Sequence, residues 1–291
     1  MKMPEPGNPV GKPKEKCMES RIAKALGMEF PLVAISWTDK KPQNAKQFQK
    51  GKFGCVSFML AAAVRGKTAV FDRETYGCYG GGVGLGFGNT YKAFPGGEEG
   101  FCRFLSTGNK GSAQGEQIAE QLKPFVRHEF YDDFLQGERY LKNPDLVESF
   151  IRNLPITDVP QKYAVFQPLS QVDEKENPPD IVSFLADMDQ LAALVIFANH
   201  HRTTNDNVII PWAAGCQTLA LYPLQESRSK TPRAVVGLTD ISARLHVKRM
   251  LKRDLMSFAA PFTLFKEMEE NLDGSFVERT TWKELAALKK P

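Results

Sequence analysis

The sequence has little of what most directly announces a chemistry. Its 291 residues hold four histidines, five cysteines and no CxxC pair, so the short-spaced ligand signatures of zinc ribbons and fingers are missing. No apolar run approaches the roughly 18 residues of a membrane span; the longest are residues 56–64 and 191–198. No membrane partner is expected. Neither sign of charge dominates, since 38 basic and 34 acidic side chains leave a formal +4, too mild for a nucleic-acid footprint. Residues 1–16 are rich in Pro, Gly and Lys without an apolar h-region, which reads as a mobile arm and not a signal peptide. An odd number of widely spaced cysteines argues against a secreted disulfide framework. The expectation is a cytoplasmic protein with reduced thiols.

What is present is an ordinary globular composition, 42% hydrophobic and 25% charged, enough to bury one large core or two smaller ones. Within it, three of the five cysteines directly follow a glycine: Gly54-Cys55, Gly77-Cys78 and Gly215-Cys216. Glycine lets the chain turn where a side chain would clash. A cysteine just past such a turn can sit on the free N–H groups that open a helix, where its thiolate is favoured.

Pattern and turn signals predict strands over residues 30–37, 68–71, 163–168, 181–185, 234–238 and 255–259, the third and fourth forming a hairpin. Helices are expected over 15–26, 56–64, 116–135 with a break near Pro124, 145–153, 188–199, a Gly215-Cys216 segment after Pro211, 261–271, and around 282–288. Residues 92–114 read as loop. A weak internal repeat emerges, each half running strand, Gly-Cys helix, strand and acidic turn, the turns being Asp72-Arg73 and Asp240. The expected fold is therefore α/β or α+β, two related α/β halves packed about a pseudo-twofold axis. The boundaries read as an arm over 1–16, a first half over 17–155 and a second over 156–291. Cys55 and Cys216 would then be equivalent.

Seven glycines fall in the twelve residues from Gly77 to Gly88. Such a run either wraps backbone around a ligand, its N–H groups facing a phosphate or carboxylate, or marks tight helix packing. Gly80, Gly81, Gly82 and Gly84 are the candidate ligand-binding positions. No GxGxxG and no following Lys-Ser or Lys-Thr completes a nucleotide motif.

The string Gly54-Cys55-Val56-Ser57-Phe58-Met59-Leu60, then Asp72-Arg73-Glu74-Thr75-Tyr76-Gly77-Cys78-Tyr79 running into the glycines, resembles the DUF169 family of uncharacterised prokaryotic proteins. The Gly215-Cys216 helix and the segment Ser257-Phe258-Ala259-Ala260-Pro261-Phe262 fit as well. The resemblance spans nearly everything beyond the arm and implies little about activity. Family members often carry a further cysteine after the strand ending at Leu238, where this chain has Asp240-Ile241-Ser242-Ala243-Arg244.

Three chemistries compete. Cys55, Cys78 and Cys216 would hold an iron-sulfur cluster or metal ion in a redox role, since soft thiolates select both; intervals of 23 and 138 residues carry no ligand signature of their own. The second is a cofactor-free protein that takes a small anionic or acyl small-molecule ligand at the glycine run. The third makes Cys78 a nucleophile with His128, His200, His201 or His246 as base. Set against all three, free cysteine is among the most buried residue types and packs as a small hydrophobe. Phe58, Phe71, Phe87, Phe258 and Phe262 are expected to line a pocket beside the glycine-cysteine elements, with Lys67 and Arg73 as the nearest cations.

Overall fold

Strand side chains alternate between the two faces of a sheet, and in the central strands of this protein both sets are apolar. The computed structural model describes residues 18–288; the expected arm and Cys17 lie outside the described residues. In chain order the elements are α1 (Arg21–Ala25), β1 (Val33–Thr38), α2 (Val56–Ala63), β2 (Ala69–Phe71), α3 (Tyr79–Gly84), α4 (Gly97–Leu105), α5 (Ala113–Leu122), α6 (His128–Gln136) and α7 (Pro144–Asn153). There follow β3 (Tyr163–Pro168), β4 (Ile181–Ala186), α8 (Met188–Asn199), β5 (Val208–Ile209), a π-helical turn (Gln217–Leu221) running into α9 (Tyr222–Ser227), β6 (Ala234–Gly237), α10 (Ile241–Leu251), β7 (Met256–Pro261), α11 (Phe262–Glu270) and α12 (Thr280–Ala287).

The result is a mixed α/β fold around one seven-stranded sheet, ordered β2-β3-β1-β4-β7-β6-β5. Every pairing is antiparallel except β5 with β6. One face presents Val33, Ile35, Phe166, Ile181, Leu185 and Ala259 to α2, the π-turn and α10. The other presents Ala34, Val182, Phe184, Val236, Phe258 and Ala260 to α1, α8, α11 and α12. Burial on both faces explains why these strands read as continuous apolar runs. Among the described residues no helix is long and apolar enough to cross a membrane.

Two expectations need correction. β3 and β4 are not a hairpin, because β1 lies between them: β3 pairs with it from Val33↔Pro168 to Thr38↔Tyr163, and β4 takes its other edge over Val33–Ile35. A strand apolar on both faces is best buried in the middle of the sheet, which outweighs sequence adjacency. Residues 92–114 also contain a helix, α4. Its glycines hide it from propensity, but Phe101, Phe104 and Leu105 on one side are buried among Tyr91, Phe94 and Phe134, and packing stabilises a short helix more than propensity does. Helices α4–α7 build around this aromatic cluster.

The strand order has a consequence for the site. Outward from the central β1–β4 pair, one side runs β3 then β2 and the other β7 then β6. In each triplet the first strand in sequence is central, the last is next and the middle one outermost. α2 and the π-turn both lie between the first and middle strands of their triplet, and α3 and α10 both follow the middle strand. Cys55 and Cys216 thus occupy corresponding places, and so do Cys78 and Asp240.

Candidate functional site

The glycine of each Gly-Cys pair marks a close approach. The Gly54 N–H donates to the Gly77 carbonyl at 3.0 Å, and a Cβ on Gly77, whose φ is +89°, would stand 2.4 Å from the Gly54 oxygen. A Cβ on Gly215 would lie 2.7 Å from the Ala243 Cβ of α10. These contacts draw three helix starts together. Cys55 caps α2, Cys78 caps α3, and Cys216 directly precedes the π-turn.

Each sulfur has a local partner. Cys78 Sγ accepts from the Gly81 N–H at 3.3 Å, Ser57 Oγ donates to Cys55 Sγ at 2.8 Å, and Cys216 Sγ donates to the Gly80 carbonyl at 3.1 Å. Burial pushes the Cys78 thiol up to about 12, and the charge of Cys55 adds to this. Cys216 is raised well above its ordinary value by burial first and then by Cys78 and Cys55. Cys55 is raised by burial, and the Ser57 hydrogen bonds oppose the rise. The structure therefore brings Cys55, Cys78 and Cys216 within electrostatic reach of one another. Among the described residues no three His, Cys, Asp or Glu side chains stand close enough to hold one metal ion.

The part of the glycine run that holds the four candidate positions is the helix α3 and not an open loop. A Cβ on Gly81 would meet the Tyr76 carbonyl at 2.3 Å, one on Gly82 the Thr90 side chain at 2.5 Å, and one on Gly84 the Cys216 sulfur at 2.7 Å. Three of the four candidate glycines are thus occupied in holding α3 against Val56, Thr90 and the π-turn. Gly80 differs, its nearest neighbours being Ala214 Cβ and Tyr91 Oη at 3.8 Å.

Asp240 is the charged group that all three thiols share, and its charge pushes each of them upward. Its carboxylate caps α10, accepting from the N–H groups of Ser242 at 2.8 Å and Ala243 at 3.3 Å, and from Gly215 N–H at 3.3 Å. Next to it, Ser242 Oγ donates to Glu138 Oε1 at 3.3 Å and lies 3.2 Å from the Tyr140 hydroxyl. Buried Gln217 donates to Tyr91 Oη at 2.7 Å while its carbonyl oxygen accepts from Ala214 N–H at 3.0 Å. Asp240 was legible only as an acidic turn. Glu138, Ser242, Tyr140, Gln217 and Tyr91 carried no sequence signal, because what assembles them is the contact of α10 and the π-turn with the segments around α3 and α6.

Other candidates fall elsewhere. Phe258 and Phe262 belong to the opposite face of the sheet, so the expected phenylalanine-lined pocket is not assembled. Arg73 is engaged elsewhere, reaching Asp158 at 2.6 Å and the Val159 carbonyl at 2.5 Å. His128 pairs with Asp132 on an exposed face at 2.8 Å, and His200 ends α8. His246 sits on α10 against the Phe58 ring at 4.8 Å, with Nδ1 lacking a partner. A raised Cys78 thiol with no histidine hydrogen bond is the opposite of an activated nucleophile. Cys102 is buried in α4, outside this junction.

The sequence from residue 21 to 271 matches the model of DUF169, described as Uncharacterised ArCR. The chain belongs to the DUF169 family. No curated protein and no solved structure matches it. The span matched by the DUF169 model contains all three Gly-Cys pairs and Asp240, so the junction lies wholly inside the family's domain.

Proposed function

We propose that this DUF169 protein binds an iron-sulfur cluster or soft metal through Cys55, Cys78 and Cys216, in a redox role. The observation that carries the reading is the meeting of three thiols from separated stretches, each at a helix start and each within reach of the others' charge. Cys216 is buried and Cys55 and Cys78 are half-buried, and the Asp240 carboxylate beside them opposes ionisation, so the thiols are held protonated. A metal is the partner that would offset their burial and draw them to thiolates. One zinc ion needs all its sulfurs at about 2.3 Å, and among the described residues no group of three such side chains is placed to hold one. A polynuclear cluster spans a wider gap, because its irons and sulfides fill the space between the thiolates. The reading therefore takes a cluster in preference to a single ion.

Anaerobic purification, or reconstitution with ferrous iron and sulfide, followed by a visible absorption spectrum and Fe, Zn and sulfide analysis, tests this. Stoichiometric iron and sulfide with a charge-transfer band is the expected result, lost in Cys55→Ala, Cys78→Ala and Cys216→Ala and retained in Cys102→Ala. A folded, colourless, metal-free protein after reconstitution would overturn it.

A further inference from the structure

The segments that carry Cys55 and Cys78 are held together at two steps flanking the pair. On one side the Gly54 N–H donates to the Gly77 carbonyl at 3.0 Å. The Phe48 ring lies against both of these glycines, 2.4 Å from where a Cβ on Gly54 would stand and 2.9 Å from one on Gly77. On the other side the rings of Phe53 and Tyr79 meet with centroids 5.4 Å apart. A disulfide joins Cα atoms about 4.4–6.8 Å apart, a separation that chains in direct contact provide.

The three sulfurs are served differently. Cys55 Sγ accepts from Ser57 Oγ at 2.8 Å and Cys78 Sγ from the Gly81 N–H at 3.3 Å, bonds that a thiolate would keep. Cys216 Sγ is itself the donor, to the Gly80 carbonyl at 3.1 Å, and would lose that bond on ionising. Cys55 and Cys78 are half-buried, whereas Cys216 is buried. Two thiols are therefore open to a small reagent and hydrogen-bonded as nucleophiles, and the third is neither.

We propose that Cys55 and Cys78 form a redox-active dithiol that closes to a disulfide by exchange with a small-molecule disulfide, while Cys216 stays a packed thiol. The pair needs no metal, and its closure takes two of the three thiols away from any cluster. Cys55 gives its proton to solvent and attacks one sulfur of the small disulfide, forming a mixed disulfide and releasing one small thiolate. Cys78 then loses its proton and attacks the Cys55 sulfur, and the second small thiolate leaves. Each leaving thiolate takes up one proton, so two electrons pass from the cysteine pair to the small disulfide and two small thiols result. The first attack falls to Cys55, because hydrogen bonds from Ser57 oppose the rise that burial causes there, whereas Cys78 is pushed up to about 12. Thiols that ionise reluctantly exchange slowly at neutral pH. The disulfide they form resists reduction, since no stabilised thiolate favours the reduced state.

Metal-free wild type, treated with oxidised glutathione while folded and mapped by mass spectrometry without reduction, tests this. The expected product is one linked peptide, Cys55 to Cys78, formed faster as pH rises and formed equally in Cys216→Ala and Cys102→Ala. Cys78→Ala should stop with glutathione on Cys55, and Cys55→Ala should give no link. A link from either residue to Cys216, glutathione absent from Cys55 in folded Cys78→Ala, or no disulfide in the wild type overturns the dithiol. The wild-type map decides the matter even where a variant fails to fold. A wild type that links but takes up no iron and sulfide counts against the cluster and leaves the dithiol standing. One that takes up iron and sulfide but never links overturns the dithiol alone.

Discussion

Gly54 and Gly77 meet backbone to backbone, the N–H of the first donating to the carbonyl of the second at 3.0 Å. Two segments 23 residues apart therefore deliver Cys55 and Cys78 from adjacent points, and the glycines exist for that contact and not for the cysteines themselves.

Replacing Gly77 with Ala should cost about 2 kcal/mol or more. The φ of +89° is disfavoured for any side chain, and the new Cβ would sit 2.4 Å from backbone that cannot swing aside. Urea unfolding reads the loss, and a cost under about 0.5 kcal/mol would show that the two segments can separate freely.

Gly80→Ala and Gly84→Ala should part company. At Gly84 a Cβ meets the Cys216 sulfur at 2.7 Å and forces α3 off the π-turn, a loss of about 1–3 kcal/mol by overpacking. At Gly80 the nearest atoms stand at 3.8 Å, and removing a helical glycine should gain up to about 1 kcal/mol. Thermal unfolding of the two variants side by side tests the packing account of the glycine run. Equal destabilisation would contradict it.

Gln217→Ala should destabilise by about 2–3 kcal/mol, since it strands the buried Tyr91 hydroxyl and the Ala214 N–H together. Gln217 also sets the start of the π-turn beside Cys216, so alkylation of that thiol in the metal-free protein should quicken in the variant. Mass-spectrometric mapping of the label separates the two effects.

The metal-free protein should lose stability as pH rises from about 9 to 12. Cys78 titrates near 9.0 when unfolded and near 12 when folded, so above pH 9 the unfolded chain gives up a proton that the folded one keeps, and unfolding is favoured. A rise of about three units at about 1.4 kcal/mol each puts about 4 kcal/mol at stake by linkage, and Cys78→Ala should flatten the decline. Below pH 9 the two proteins should show the same pH dependence.

Most elements were legible because their signals are local. The Asn143-Pro144 start of α7 works as a cap, with the Asn143 side chain accepting from Leu146 N–H, and the apolar runs of β1 and β4 became buried strands. α4 was illegible because its stability comes from aromatic neighbours supplied by α6 and the turn at Tyr91. The site divides in the same way. Three Gly-Cys pairs stood out as a pattern, and each glycine proved to be a place where only hydrogen fits.

Sequence by itself determined the family, the mixed α/β class and the three thiols, since composition, periodicity and adjacent-residue patterns are properties of the chain. Tertiary structure alone decided that β1 separates β3 from β4, that the glycine run is a packed helix, and that Asp240 and Glu138 border the thiols. Those outcomes depend on which faces bury against which, and burial is shared between residues far apart in the chain, as Tyr140 and Ser242 are.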